Sequence, residues 1–185
     1  SVSNLKVKIV NDIELKKTDF NFFADKSDIL LTNISSETAI LKIIDGDLKL
    51  RLSSDISLES NFKTNIKYDY KLKNYLDLIK DYKYLKNLVT LEASMNNNLI
   101  IIFDKTYKIK KYDYKNSGKI SKAILDFKKP LQNYFLDEKI NQFSLINSEI
   151  KTSLSKKKKS INISGNYLIN KDKPLPFNLE NIFDK

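Results

Sequence analysis

The sequence predicts a mainly β protein with minor α structure, organised as an antiparallel sheet of hairpins. Every odd-numbered residue from Asp47 to Asp69 is polar, while most even-numbered residues are apolar. This alternation is typical of strands whose successive side chains point to opposite faces. Asp45-Gly46 lies between two alternating stretches and is the strongest short hairpin signal. One stretch, 71–88, instead has the spacing of an amphipathic helix.

The N-terminal part of the chain contains five short strand candidates, the last of which enters the predicted hairpin. They are Leu5–Ile9, Ile13–Leu15, Phe20–Phe23, Ile29–Ile34 and Ala39–Ile44. After the hairpin, the alternating run would span roughly 80 Å as a single strand at about 3.3 Å per residue, far beyond the usual strand length. We therefore expect a break or bulge at Ser53-Ser54-Asp55, with one shared apolar face on both sides of it.

The helix is predicted from apolar residues spaced three and four apart. They are Leu72, Tyr75, Leu76, Ile79, Tyr82 and Leu85. Its outer side is rich in lysine, so we expect it to pack on the sheet, either completing a core or covering one end.

Strands are expected to resume after the helix, separated by turn residues. Val89–Met95 and Leu99–Phe103 are joined by a turn at Asn96–Asn98, and a turn at Asn116–Gly118 leads into Lys119–Phe127, which Pro130 closes. The stretch 131–140 is ambiguous and could form a short helix. A hairpin joins Phe143–Leu154 to Ile161–Ile169. Residues 1–173 are thus predicted to form one β-rich domain, and 174–185 a C-terminal tail or linker.

Composition excludes most familiar catalytic chemistry. The chain has 185 residues with no Cys and no His, which removes thiol nucleophiles, imidazole acid–base catalysis and the usual zinc sites. No phosphate-binding loop, dinucleotide motif or nucleophile elbow is present. The carboxylate pairs Asp45/Asp47 and Asp137/Glu138 are attributed to turns. We predict a protein that is not an enzyme and has no cofactor or metal.

Net charge points first to anionic partners. The 33 basic and 23 acidic residues give a net charge of +10, which favours nucleic acid or an anionic membrane surface. Arg51 is the only arginine, however, whereas recognition of phosphates and bases favours the planar guanidinium group. Tyrosines interleaved with lysines are also seen in single-strand binders, but Tyr68 and Tyr70 continue the apolar face. A specific nucleic-acid partner is not expected.

The long apolar face is the main functional signal. One helix and a few loops are too little to cover it, and large uncovered apolar patches mark binding sites. We predict a hydrophobic groove, with a closed core as the alternative interpretation. The predicted lining residues are Leu48, Leu50, Leu52, Ile56, Leu58, Phe62, Ile66 and Tyr68.

Lys156, Lys157, Lys158 and Lys159 form the densest run of charge, in the turn of the last predicted hairpin. Each lysine near an anionic bilayer contributes about 1 kcal/mol to binding. The run could equally serve solubility and blunt edge pairing.

Three stretches resemble the AsmA-like envelope proteins, whose repeating β-groove architecture is similar to that of the bridge-like lipid transfer proteins. They are Ala39–Tyr70 with Asp45-Gly46, Leu99–Phe127 with Asn116-Ser117-Gly118, and Glu149–Phe177 with Ile161–Tyr167. Together they cover a little over half of the chain.

The resemblance implies a long, curved antiparallel sheet, apolar inside, that carries phospholipid acyl chains between inner and outer membranes. It implies the periplasmic side of the envelope of a diderm bacterium. The chain starts at Ser1 and has no signal peptide or long apolar run, so we expect a segment whose membrane anchor lies outside it. Two alternatives stay open: a basic module that binds nucleic acid or another polyanion, and a structural β protein buried in an oligomer.

Overall fold

Ten strands form one open antiparallel sheet, in which each strand pairs with its neighbours in the chain. The computed structural model describes residues 1–8, 14–53, 55–72, 87–133 and 138–184. This architecture confirms the prediction of a mainly β, antiparallel fold. The strands are β1 (Val2–Lys8), β2 (Glu14–Ala24), β3 (Asp28–Glu37), β4 (Leu41–Leu52), β5 (Ile56–Asp69), β6 (Leu88–Phe103), β7 (Ile109–Asn133), β8 (Glu138–Ser155), β9 (Lys158–Ile169) and β10 (Leu175–Asp184).

The long alternating run is a hairpin of β4 and β5. Leu52 pairs with Ile56, and Leu50 pairs with Leu58, so the chain reverses direction between Leu52 and Ile56, where the sequence predicted a break or bulge; Ser54 lies outside the described residues. Because both strands meet in this register, their even-numbered residues near the turn share one face, as predicted. We call this side of the sheet, followed through the pairing of all strands, the groove face, and the opposite side the wet face.

Burial differs sharply between the two faces. On β5, the groove-face residues Ser60, Thr64 and Tyr68 are buried, whereas Asn61 and Lys67 on the wet face are exposed. This asymmetry shows that the groove face is the more closely packed side of the sheet along β5.

Bulges interrupt the pairing at residues that adopt a left-handed backbone. Lys17, Asn33 and Asn147 have φ values of 50°, 54° and 47°, and each lies at a shift in register. Bulges bend a strand and increase its twist, so these positions favour curvature of the sheet.

Three expected turns are instead the middles of continuous strands. Asp45-Gly46 lies within β4, Asn96–Asn98 within β6 and Asn116–Gly118 within β7. The glycines serve close contact rather than chain reversal, since a Cβ at Gly46 would overlap the ring of Phe62. The chain reverses at other points, such as the turn at 104–108, where the Asp104 N–H donates to the Lys108 carbonyl over 2.9 Å.

The prediction was also wrong about the chain near two prolines, Pro130 and Pro176. Pro130 does not close its strand, because β7 continues to Asn133 after a register shift. Residues 175–184 are not a tail, because β10 pairs with β9 from Leu175–Tyr167 to Asp184–Lys158. Pro176 is compatible with this strand, since the last strand in the order lies at the sheet edge, where a missing N–H costs little.

The predicted helix over 71–88 falls largely on residues 73–86, which lie outside the described residues. Its expected last residue, Leu88, is the first residue of β6. Of the ambiguous stretch 131–140, Leu131 pairs with Ile140 across β7 and β8, so its described ends belong to strands rather than to a short helix.

Candidate functional site

The predicted lining residues lie together on the groove face of β4 and β5. Leu48, Leu50 and Leu52 belong to β4, and Ile56, Leu58, Phe62, Ile66 and Tyr68 belong to β5. Register extends this surface to the following strands, where Leu58 pairs with Ile101 and Ile101 pairs with Tyr112.

The groove face divides into two halves on either side of the central row that contains Gly46 and Phe62. The half toward the end of the sheet where β4 leads into β5, which we call the open half, consists mainly of partly exposed residues, although Ser60 within it is buried. They include Ile29, Leu31, Leu48, Leu50, Leu58, Leu99, Ile101, Tyr112, Tyr114 and Leu154. This half contains five of the eight predicted lining residues.

The other half, which we call the closed half, is packed. Leu88, Ala93 and Ile120 are buried, and Tyr68 is only 2% exposed. Burial raises the pKa of the Tyr68 hydroxyl above its ordinary value. The predicted lining residues Ile66 and Tyr68 belong to this half, where Tyr68 has the surroundings of a core residue.

A polar network lies between the two halves. The Tyr114 hydroxyl donates to Asn97 Oδ1 over 2.9 Å, and Asn116 Nδ2 donates to the same oxygen over 2.8 Å. Asn97 Nδ2 in turn donates to Thr64 Oγ1 over 3.2 Å. These bonds satisfy the side-chain amide of Asn97 within an otherwise apolar surface.

Several large apolar side chains at the margins of the groove face are exposed. Leu52, at the end of β4, is 44% exposed, and Leu179 and Phe183 on β10 are 51% and 53% exposed. An aromatic row approaches the same edge, because Phe143 stacks on Tyr167 at 5.9 Å and Tyr167 meets Phe177 edge-on at 6.0 Å.

The four predicted contact lysines lie at the rim of the open half. Lys156 and Lys157 occupy the turn between β8 and β9, and Lys158 and Lys159 begin β9. Lys159 pairs with Leu154 of the open half. The Ser155 hydroxyl accepts a hydrogen bond from the Lys158 N–H over 3.1 Å and holds this turn.

Other basic residues reach the same end of the sheet. In an antiparallel meander every second turn lies at one end, so the turns that connect β2 to β3, β4 to β5, β6 to β7 and β8 to β9 are neighbours. Lys26, Lys105 and Lys108 belong to these turns and are exposed. We call this end of the open half the basic rim.

Sequence reasoning missed the part of the open half formed by β6 and β7. Leu99–Phe103 is an unbroken apolar run, so it carries no alternation that assigns Leu99 and Ile101 to one face. Tyr112 and Tyr114 do alternate with polar residues, but only the pairing of the strands places them opposite Ile101 and Leu99.

Among the described residues, no helix is long and apolar enough to cross a membrane, and no cluster of acidic residues could hold a metal ion. Comparison with known proteins found no matching family model, no similar curated protein and no similar solved structure.

Proposed function

We propose that this chain is a non-enzymatic lipid-binding module whose open half holds acyl chains. The main support for this proposal is a partly exposed apolar surface that continues across β3 to β8. One cross-strand row of this surface contains Leu50, Leu58, Ile101 and Tyr112. A surface of this kind gains about 0.8 kcal/mol for each CH₂ group that it removes from water.

The basic rim supports a specific orientation of the lipid. An acyl chain in the open half would end near Lys156–Lys159, where a phosphate headgroup would meet exposed ammonium groups at the water boundary. Opposite charges at such a boundary attract with modest strength, about 1 kcal/mol per lysine near an anionic surface. We therefore propose phospholipids as the ligands, with their headgroups at the basic rim.

The resemblance to AsmA-like envelope proteins extends this proposal. It implies that the module takes part in transport of phospholipid between inner and outer membranes, on the periplasmic side. The open sheet suits that role, since a long groove built from successive strands can be extended by adding strands. Attachment to a membrane would come from a part of the protein outside this chain.

Native mass spectrometry after gentle purification tests the proposal. Bound phospholipid is expected on the wild-type chain and is expected to be lost in Leu58→Asp, because a carboxylate in the groove must be desolvated by the acyl chain. Glu59→Lys is the matched control. The Glu59 side chain is next to Leu58 in the sequence but points to the wet face, so this variant should still bind lipid.

Circular dichroism and thermal melting of the same variants separate an empty groove from an unfolded chain. A folded Leu58→Asp variant without lipid supports the proposal. If wild-type protein carries no phospholipid, or if Leu58→Asp unfolds as a core residue would, the open half is not a lipid site.

A further inference from the structure

A hollow of about 710 Å³ crosses the middle of the sheet from β4 to β10. Two cross-strand rows of wet-face residues bound it. One row runs from Asp45 on β4 through Asn96 on β6 to Glu180 on β10, and the other runs from Asp47 on β4 to Ser160 on β9. Seven strands about 4.8 Å apart make this hollow, which we call the polar trough, about 29 Å long.

The polar trough lies on the wet face. On β9, Ser160 and Asn162 line it, whereas Ile161 between them, whose side chain points to the groove face, does not. On β5, the groove-face residues Ser60 and Thr64 do not line it, whereas Phe62 between the two rows does, as do Gly46, Asn97, Asn116 and Thr152 of the same central row. Thirteen of the 18 lining residues thus belong to the wet face, and the trough shares only this central row, and none of the open half, with the groove face.

Charge in the polar trough is balanced among the described residues. Lys63, Lys115 and Lys151 line it together with three carboxylates, those of Asp45, Asp47 and Glu180. Lys63 lies 3.4 Å from Asp45, and Lys115 lies 3.9 Å from Asp113, which is outside the trough. A site for a polyanion would lack these carboxylates, so the trough is not suited to nucleic acid despite the net positive charge of the chain.

The remaining wet-face side chains of the trough are amides and hydroxyls, namely Asn61, Asn96, Asn98, Asn162 and three serines. Asn98 Nδ2 donates to Asn61 Oδ1, but each amide has two donor hydrogens and an acceptor oxygen, more than this one bond uses. Such groups match ligands whose hydroxyls both donate and accept hydrogen bonds.

The shape of the site further narrows the ligand. An extended peptide binds a sheet through main-chain hydrogen bonds at an edge strand, whereas within a sheet those groups already bond to neighbouring strands. The middle of the wet face instead offers side chains along an open channel, namely amides, hydroxyls and a balanced set of charges. We propose that the polar trough binds an extended, uncharged glycan chain.

Titration calorimetry with cellohexaose, chitohexaose and xylohexaose tests this site, with a heparin-derived hexasaccharide as the anionic probe. At least one neutral oligosaccharide is expected to bind the wild-type chain. Replacing both Asn61 and Asn98 by Ala should weaken it about 30-fold, the result of losing two hydrogen bonds of ordinary strength. The matched control replaces Asn65 and Ser94 by Ala, a pair on the same strands and face, bonded over 2.8 Å, outside the trough.

Side-chain amide signals in NMR spectra of the wild-type chain provide a measurement that needs no variant. Neutral glycan should shift the signals of Asn61 and Asn98 and leave that of Asn65 unchanged. The proposal is overturned if no neutral oligosaccharide binds, if both pairs of substitutions weaken binding equally, or if the heparin fragment binds more tightly and with a steep dependence on salt.

Discussion

Each of the three glycines of the chain lies where a residue of the adjacent strand leaves no room for a Cβ atom. A Cβ at Gly46 would overlap the ring of Phe62, one at Gly118 the main chain of β6, and one at Gly165 the side chain and Cα of Ser148. At Gly118 the obstacle includes Met95 Cα at 2.9 Å. Because main chain cannot rotate away as a ring can, the cost of a methyl group should differ between positions.

Gly118→Ala is therefore expected to lower the free energy of unfolding by about 1–3 kcal/mol, the range for overpacking. Gly46→Ala should cost less, because the nearest obstacle there is the Phe62 ring, which can move. Urea denaturation of both variants measures the difference. Equal losses would contradict the close approach of β6 and β7.

Asp104 provides a pH-sensitive contact in the turn between β6 and β7. Its Oδ1 accepts hydrogen bonds from the hydroxyl and the N–H of Thr106, both at 2.7 Å, and from the Lys108 N–H at 3.0 Å. The Thr106 hydroxyl, then the Lys108 and Thr106 N–H groups, hold the Asp104 pKa below its ordinary value of 3.8.

A carboxyl whose pKa is lowered by folding stabilises the folded state above its ordinary pKa and loses that effect as pH falls through the folded value. Asp104→Asn should thus destabilise the protein at pH 7 and have a shrinking effect below pH 3.8. Chemical denaturation of both proteins across this range measures the difference. A difference that does not change with pH would show that the Asp104 charge is not what holds the turn.

At the scale of single residues, the sequence pointed to three special positions but wrongly predicted that they are turns. Asp45-Gly46, Asn96–Asn98 and Asn116–Gly118 contain residues that favour turns. In the structure all three lie in or beside one central row of the sheet. Small and amide side chains are needed there for close packing and the Asn97 network, a requirement that comes from neighbouring strands and so cannot be read locally.

For the strands, the face on which a residue lies was more predictable than the residues at which each strand begins and ends. Alternation correctly placed Leu50 and Leu58 on one face, because a strand's two-residue period survives any shift of its ends. Strand ends depend on pairing partners, which is why the continuation of β7 past Pro130 was not predicted.

The edge strand β10 allows a direct test of this pairing. Amides of Leu175–Asp184 that bond to β9 should exchange slowly with solvent, in alternation with amides that point outward from the edge. Hydrogen exchange followed by NMR resolves this two-residue period. Uniformly fast exchange would mean that this segment is a tail after all.

At the scale of the whole molecule, one sheet carries two unlike surfaces. Its groove face has an apolar open half that ends at a basic rim, and its wet face has the polar trough between two rows of side chains. Because side chains alternate along each strand, a ligand on one face contacts residues adjacent in sequence to those on the other. Binding to the two faces can therefore be separated by substitutions one residue apart.

The most direct measurement of the central proposal is photocrosslinking to phospholipid at neighbouring positions of β4. The photoreactive residue p-benzoylphenylalanine would replace Leu50 and Leu52 on the groove face and, in matched variants, Lys49 and Arg51 on the wet face. With vesicles of anionic phospholipid, adducts are predicted at 50 and 52 and not at 49 and 51. Equal labelling at all four positions, or adducts only at 49 and 51, would contradict an acyl-chain site on the groove face.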